Sequence, residues 1–215
     1  MSGLAVLVKL LIAYLLGSLS GSLLLGRLRG VDVRKLGSGN AGGTNAFRTQ
    51  GWRFALAVVV IDVGKAMLAV WWARRGVVDQ DAALRVGLAA GAAAVLGHVW
   101  PIFFRFKGGK GAATLIGVLL MLWPFILLPA LLVWSLTMMM TGYVGLSTML
   151  GGLALVPVAL WLAPVDQRLL WFIATALIAT FLIFTHRSNI GRMRGGSEHR
   201  FERIRVLGRW WEARR

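Results

Sequence analysis

The chain has 215 residues, of which 58% are hydrophobic and 15% are charged, and its formal net charge is +16. Soluble domains are less apolar and more charged, so this composition indicates an integral membrane protein. The absence of cysteine excludes disulfides and thiolate metal sites, and the three histidines are too dispersed for a metal cluster, so we expect neither a metal nor a cofactor. Most of the basic residues lie outside the apolar segments. They therefore point to anionic membrane lipids and phosphorylated substrates as partners, and not to nucleic acid.

Apolar segments long enough to cross a bilayer recur along the chain and predict an all-α, polytopic membrane protein. The first has no basic region before it and is followed by further spans, so we interpret it as a retained helix rather than a signal peptide. The fourth and fifth form one apolar run that contains Trp123-Pro124. A hairpin at this proline gives seven spans, whereas a kink gives a different topology. The predicted spans are roughly Leu4–Leu25, Phe54–Ala73, Ala82–Phe104, Ala112–Trp123, Phe125–Met140, Tyr143–Ala163 and Leu169–Phe184.

The charges of the loops decide between these topologies. Residues 27–53 contain six basic residues, the segment after the third span contains three, and the segment from Arg187 onwards contains nine arginines. The opposite loops mix basic residues with aspartates. The positive-inside rule therefore predicts about seven transmembrane helices, with the N-terminus outside and the C-terminus in the cytoplasm. We expect one membrane domain, residues 1–215, with polar motifs on the cytoplasmic side in segments 26–53, 97–114 and 185–200.

The first polar cluster contains a literal G-x-G-x-x-G. That fingerprint binds dinucleotides only between a strand and a helix, and here it joins two membrane helices, so we reject a nucleotide site. Glycines still allow backbone N–H groups to approach an anion closely, and an arginine can hold phosphate with two hydrogen bonds. A flexible loop with ordinary turn chemistry is the alternative. The candidate residues of this anion site are Gly37, Ser38, Asn40, Thr44, Asn45 and Arg48.

The second cluster places two lysines around a pair of glycines just before a predicted helix start. Helix N-termini attract phosphate, so this loop is a second candidate anion site. It is not a P-loop, because Phe104 stands where a Walker A motif needs glycine. The alternatives are a basic turn that only satisfies the positive-inside rule and, for the histidine, either a buried structural role or a general base. The residues are His98, Lys107, Gly108, Gly109, Lys110 and Gly111.

The third cluster follows the last span. Asn189 offers a donor and an acceptor together, and Arg192 and Glu198 are placed to form an ion pair that closes a site. The alternative is a solvated basic tail, which fits best from Arg200 onwards. Within the second span, Asp62 and Lys65 stand three residues apart on one helix face. We interpret them as a structural pair, with a proton relay as the alternative.

The absent motifs also constrain the chemistry. There is no G-x-S-x-G nucleophile elbow, no cysteine nucleophile, and no histidine followed five positions later by aspartate. A group-transfer reaction on this chain therefore needs a donor that is already activated, and catalysis by positioning and charge stabilisation.

In combination, these motifs resemble the acyl-phosphate-dependent glycerol-3-phosphate acyltransferases of bacteria, the PlsY family. The resemblance covers essentially the whole chain. It rests on Gly-Ser-Gly-Asn-Ala-Gly-Gly-Thr-Asn with Arg48, on Gly-His-Val-Trp-Pro with Phe-Lys-Gly-Gly-Lys-Gly-Ala-Ala-Thr, and on His-Arg-Ser-Asn with Arg192 and Glu198. Ser20-Gly21 is a departure, since members often have Ile-Pro-Phe in this helix, and a different bend is the expected consequence.

The resemblance implies a seven-helix enzyme of the bacterial inner membrane that makes lysophosphatidate and inorganic phosphate from acyl phosphate and glycerol 3-phosphate, the first step of phospholipid synthesis. It implies catalytic roles for Ser38, Arg48, Lys107 and Asn189. The glycines at 108, 109 and 111 would shape a phosphate pocket, and Ser147 matches a family serine more loosely. Acyl-chain preference and oligomeric state do not follow from the sequence.

Two other classes of function compete with the enzyme. A transporter or flippase of a phosphorylated lipid would use the same basic face, with Asp62 and Lys65 as a relay. Transporters bind near the bilayer midplane, however, whereas the polar clusters here lie at one membrane surface. A scaffold that binds anionic lipid explains the charge but leaves the glycine-rich loops unexplained.

Overall fold

The computed structural model describes residues 2–214, and over that range the chain is helical with no β-strand. Met1 and Arg215, which the predicted domain of residues 1–215 includes, lie outside the described residues. Five helices are long and apolar enough to cross a membrane, or six if a bent pair at the start is one span. The all-α fold with several apolar spans is therefore confirmed, and the count of seven stays a prediction. The chain divides into two compact units, Met1–Pro124 and Phe125–Arg215.

The described residues of the first unit form six α-helices. They are α1 (Gly3–Gly17), α2 (Gly21–Leu28), α3 (Gly43–Gln50), α4 (Trp52–Arg74), α5 (Gln80–Val99) and α6 (Ala112–Leu122). Glycines allow these helices to pack closely: a β-carbon at Gly97 in α5 would overlap the carbonyl oxygen of Tyr14 in α1, and one at Gly117 in α6 would overlap that of Val63 in α4. This packing fixes the helix ends from which the polar loops emerge.

The first predicted span is a bent pair of helices. α1 and α2 are bent by 47° across residues 18–20. Two backbone groups at this break find partners on α4, because the Leu19 carbonyl accepts a hydrogen bond from Lys65 Nζ (3.0 Å) and the Gly21 N–H donates to Asp62 Oδ1 (3.0 Å). Irregular backbone inside a membrane needs such internal partners. The break is thus built together with the charged pair of the second span.

The second unit contains the remaining helices of the described chain. They are α7 (Leu127–Thr141), α8 (Val144–Leu162), α9 (Arg168–Thr185), α10 (Arg187–Arg194) and α11 (Val206–Glu212). The predicted break at Trp123-Pro124 is present, since a 3₁₀ turn at Pro124–Ile126 separates α6 from α7. α6 has only 11 residues, or about 16 Å of rise, which is well short of the roughly 30 Å of a bilayer core.

Candidate active site

Asn45 holds the first glycine-rich loop in shape. Its side chain is buried; Oδ1 accepts the Ser38 N–H (2.9 Å), and Nδ2 donates to the carbonyls of Val33 (2.9 Å) and Leu36 (3.0 Å). Gly37 has a positive φ of 55°, and a β-carbon there would overlap Asn45 Oδ1. Asn45, which the sequence suggests as a donor to an anion, is therefore occupied with the backbone of its own loop.

The remaining residues of the first cluster surround the start of α3. Ser38 is exposed on the loop, and Asn40 packs beside Gly42, the residue that precedes α3. No side chain caps this helix start, so its positive dipole end is available to an anion. Thr44 and Arg48 are both half-buried and are four residues apart, on one face of α3. The loop, the helix start and the arginine face are the elements of an anion site.

The Arg34 side chain ties the first loop to the second. It forms a two-point ion pair with Asp32 (2.9 Å for each bond), and its Nη1 donates to the carbonyls of Phe104 (3.0 Å) and Lys107 (3.2 Å). Hydrogen bonding to Arg34 lowers the pKa of Asp32 to about 2, and the same bond raises the pKa of Arg34. This pair was not predicted from the sequence, although Asp32 is the single acidic residue of segment 26–53.

Two glycines of the second loop leave no room for side chains. The N–H of Gly108 donates to the Val99 carbonyl (3.1 Å) and that of Gly109 to the His98 carbonyl (3.2 Å), which folds the loop back onto the end of α5. A β-carbon at Gly108 would overlap the His98 carbonyl, and one at Gly109 would overlap His98 Nε2 and come within 3.0 Å of the Ala41 carbonyl oxygen. Gly109 is therefore the point at which the two glycine-rich loops meet.

The same loop presents its lysines beside a second helix start. Lys107 is exposed and Lys110 is half-buried, and Gly111, with a φ of 90°, turns the chain into α6. Before the lysines, Arg105 and Phe106 adopt left-handed conformations with φ near 56° and 57°, which are strained for residues that carry a β-carbon. The second loop is thus a tightly constrained turn and not a flexible basic linker.

A buried polar cluster supports the second loop from within the membrane domain. The predicted Asp62–Lys65 pair is confirmed, with 2.9 Å between Lys65 Nζ and Asp62 Oδ1. His98, only 2% exposed, completes the cluster: its Nδ1 lies 2.9 Å from Lys65 Nζ and 3.4 Å from Asp62 Oδ1. Because the Nε2 edge of the same ring packs against Gly109, His98 connects the charged pair to the loop. The structure gives His98 a buried supporting position.

In the second unit, Glu198 joins the predicted residues of the third cluster. Its Oε2 pairs with Arg192 Nε at 2.6 Å, as the sequence predicts, and its Oε1 accepts a hydrogen bond from Asn189 Nδ2 at 3.0 Å. Asn189 is buried beside Gly145 of α8, where a β-carbon would lie 2.8 Å from the amide. The carboxylate fixes the orientation of the Asn189 amide, so its carbonyl oxygen is directed away from Glu198.

Ser147 and His186 of the second unit are buried. The Ser147 hydroxyl donates to the Tyr143 carbonyl of its own helix (2.9 Å) and lies 3.9 Å from Met138 Sδ of α7. His186 Nδ1 lies 2.8 Å from the Leu182 carbonyl oxygen. These groups stabilise helix ends. Among residues 2–214, no three or more His, Asp or Glu side chains are grouped so as to hold a metal ion.

Comparison with known proteins gives consistent matches over nearly the whole chain. The family model described as glycerol-3-phosphate acyltransferase matches residues 7–196. A glycerol-3-phosphate acyltransferase of Thermus thermophilus is 43% identical over 197 residues, which cover 91% of this chain and 95% of the relative. The crystal structure of PlsY, an integral membrane glycerol 3-phosphate acyltransferase in its glycerol 3-phosphate form, aligns with a TM-score of 0.81 at 34% identity, covering 94% of this chain and 98% of that one. Its lysophosphatidic acid form aligns with a TM-score of 0.80 at 33% identity, with the same coverage.

Proposed function

We propose that this chain, which belongs to the glycerol-3-phosphate acyltransferase family, transfers a fatty acyl group from acyl phosphate to glycerol 3-phosphate. The products are lysophosphatidate and inorganic phosphate. The glycerol 3-phosphate and lysophosphatidic acid forms of PlsY support this acceptor and this product. The observation that carries the proposal is the meeting of two glycine-rich loops at Gly109, each leading into a helix start, with Arg34 tying them together.

Because the acyl donor is already activated, the protein needs only to position the substrates and stabilise charge. Acyl phosphate is a mixed anhydride with an electrophilic carbonyl and a good leaving group. The glycerol hydroxyl attacks the carbonyl carbon, an ester bond forms, and the bond from the carbonyl carbon to the phosphate oxygen breaks. Cations near the phosphates stabilise the charge that develops as this bond breaks. We infer that a substrate phosphate accepts the hydroxyl proton, so that no side-chain base is required.

Within this reaction, Arg48 and Lys107 hold phosphate, and Ser38 and the start of α3 add hydrogen-bond donors. Thr44, Asn40 and Lys110 line the same loops, and Gly37, Gly108, Gly109 and Gly111 allow the backbone to approach the anions. Asn45 and His98 support the two loops from behind, as their buried hydrogen bonds suggest. In the second unit, Asn189 positions substrate through its amide, held by Glu198 and Arg192, and Ser147 supports this helix end.

We also propose the topology that the loop charges favour: seven crossings in the bacterial inner membrane, with the N-terminus outside and the motif segments facing the cytoplasm. In this topology the short α6 crosses the membrane as the fourth span with help from its flanking turns. The family model spans both units, which supports a single acyltransferase domain over residues 1–215.

The first test compares Arg48→Ala with Arg53→Ala in the purified, lipid-supplied protein. Both arginines belong to the same basic segment, but Arg53 is exposed and stacks on Trp52, outside the two loops. With acyl phosphate and radiolabelled glycerol 3-phosphate, Arg48→Ala is expected to lose at least about 100-fold in turnover, as when a positioned transition-state donor is removed. Arg53→Ala is expected to match wild type. Equal activity of both variants would remove the first cluster from the site.

A further inference from the structure

The segment that follows the family match has its own anchoring on the second unit. We define residues 197–214 as the tail; the family model ends at residue 196. Within the tail, Arg200 Nε donates to the Thr141 carbonyl (2.8 Å), and the N–H of Phe201 donates to the Gly142 carbonyl (2.9 Å). Gly208 of α11 lies against the Met140 carbonyl so closely that no β-carbon would fit. The tail is therefore fixed to the end of α7, a candidate membrane span that ends at Thr141.

This anchoring places the tail at the level where a spanning helix leaves the hydrocarbon core. At that level the tail exposes large apolar and aromatic side chains: Trp210 and Trp211 are about half exposed (51% and 52%), as are Ile204 (47%) and Val206 (43%). Tryptophan is the residue that membrane–water interfaces favour, because its ring is apolar and its N–H is polar. An aqueous surface gives no such reason to expose two adjacent tryptophans.

The tail also carries uncompensated positive charge. Its acidic residues are engaged, with Glu198 paired to Arg192, Glu202 to Arg200 and Arg205, and Glu212 to Arg205. Of the tail's other arginines, Arg203, Arg209 and Arg214 have no acidic partner among residues 2–214, and all three are exposed. The Arg214 guanidinium stacks on the Trp210 ring at 3.9 Å, so charge and aromatic surface are combined at one place.

We propose that the tail is a lipid-binding strap that engages anionic phospholipid headgroups at the membrane surface. Arg203, Arg209 and Arg214 bind lipid phosphates, and Trp210 and Trp211 enter the interface beside them. The occupant is anionic lipid because the exposed surface is cationic and aromatic and is attached to the end of a membrane helix. Each unpaired arginine near an anionic surface contributes about fivefold to the binding equilibrium, so the three together contribute about 100-fold.

The absence of cysteine from the chain makes a site-specific test direct. A single cysteine is introduced by Ala213→Cys, at an exposed position just after α11, and is labelled with an environment-sensitive fluorophore. The labelled protein is placed in nanodiscs of phosphatidylcholine alone or mixed equally with phosphatidylglycerol. Emission wavelength and quenching by acrylamide report whether the tail lies in the interface. Val78→Cys, which is 93% exposed in the loop between α4 and α5, is the matched label position.

If the tail binds anionic lipid, the label at Ala213→Cys is expected to emit at shorter wavelength and to be protected from acrylamide in anionic discs, and to be more accessible to acrylamide in neutral discs. The label at Val78→Cys is expected to respond little to the lipid composition. Combining the label with Arg203→Gln, Arg209→Gln and Arg214→Gln is expected to abolish the difference, as is high salt. A label equally accessible in both discs, or equally protected in the triple variant, would overturn the proposal. Activity toward glycerol 3-phosphate and the helical circular dichroism signal verify that each variant is folded.

Discussion

Loss of one partner of the buried Asp62–Lys65 pair is expected to destabilise the protein strongly. The two side chains lie 2.9 Å apart on α4, with only 1% and 5% of their surfaces exposed. Asp62→Asn leaves the Lys65 ammonium with the Leu19 carbonyl and the His98 ring as partners and with no carboxylate. Removal of one partner of a buried ion pair typically costs about 3–5 kcal/mol, because the other charge stays desolvated. We expect losses in this range for both Asp62→Asn and Lys65→Met.

The double variant separates the charge effect from the loss of packing. Asp62→Asn combined with Lys65→Met removes both charges and retains an amide oxygen that can accept the Gly21 N–H. Replacement of a buried pair by uncharged side chains of similar volume is often close to neutral. The double variant is therefore expected to be more stable than either single variant, with a coupling free energy of about 3 kcal/mol.

Equilibrium unfolding in mixed micelles, driven by increasing dodecyl sulfate and followed by helical circular dichroism, measures these free energies. Lys35→Met changes an exposed lysine of the same unit and is expected to stay within about 0.5 kcal/mol of wild type. Single-variant losses of about 1 kcal/mol or less would be those of a solvated pair. That result, or losses that simply add in the double variant, would refute the assignment of a desolvated ion pair.

Two further predictions concern the loops. In Gly109→Ala the new methyl group overlaps His98 Nε2, so the loop must shift, and kcat/KM for acyl phosphate is expected to fall by about 100-fold, as for a displacement near 1 Å. The control is Gly64→Ala on α4, where a β-carbon meets no atom within 4 Å. Equal kinetics of the two variants would contradict the steric explanation. Hydrogen bonding to Arg34 lowers the pKa of Asp32 from 3.8 to about 2, so ionised Asp32 stabilises the fold fully above about pH 4, and this contribution is lost as the pH falls through 2. Asp32→Asn is expected to cost about 1 kcal/mol at neutral pH, discounted for partial exposure, and almost nothing once the pH is well below 2. Unfolding curves that differ equally at neutral pH and below pH 2 would contradict this prediction.

Spans with ordinary helical hydropathy were predictable from the sequence within a few residues. The expected span Phe54–Ala73 is α4, Trp52–Arg74, and the expected break at Trp123-Pro124 is present. The bend across residues 18–20 is different. Its backbone groups are satisfied by two charged side chains more than 40 positions away, so nothing local marks it. Hydrogen bonds between residues distant in sequence stabilise this bend, and the hydrophobic periodicity of the sequence does not reveal such bonds.

In the candidate site too, features that follow from residues close in sequence were predictable, whereas contacts between distant helices were not. The sequence identified the glycine-rich loops, and it predicted the Arg192–Glu198 pair and the Asp62–Lys65 pair, because each follows from residue types at short spacing. It did not predict that His98 joins the latter pair, since this contact brings α5 against α4.

Polar residues near the site also perform structural tasks that residue type alone does not reveal. The Asn45 side chain forms its hydrogen bonds within its own loop, and the Ser147 hydroxyl donates a hydrogen bond to the Tyr143 carbonyl at the start of α8. Arg205 lies in the stretch where a solvated basic tail was the alternative, yet it is buried and paired with two glutamates. The number of polar residues in a motif therefore overstates how many can contact substrate.

The measurement that tests the central claim most directly is the stoichiometry of the two products in proteoliposomes. We predict equal amounts of lysophosphatidate and inorganic phosphate from acyl phosphate and glycerol 3-phosphate, and no phosphate release when glycerol 3-phosphate is omitted. Phosphate release without the acceptor would identify a hydrolase. Unchanged substrate that accumulates inside the vesicles would identify a transporter, and either result would contradict the acyltransferase assignment.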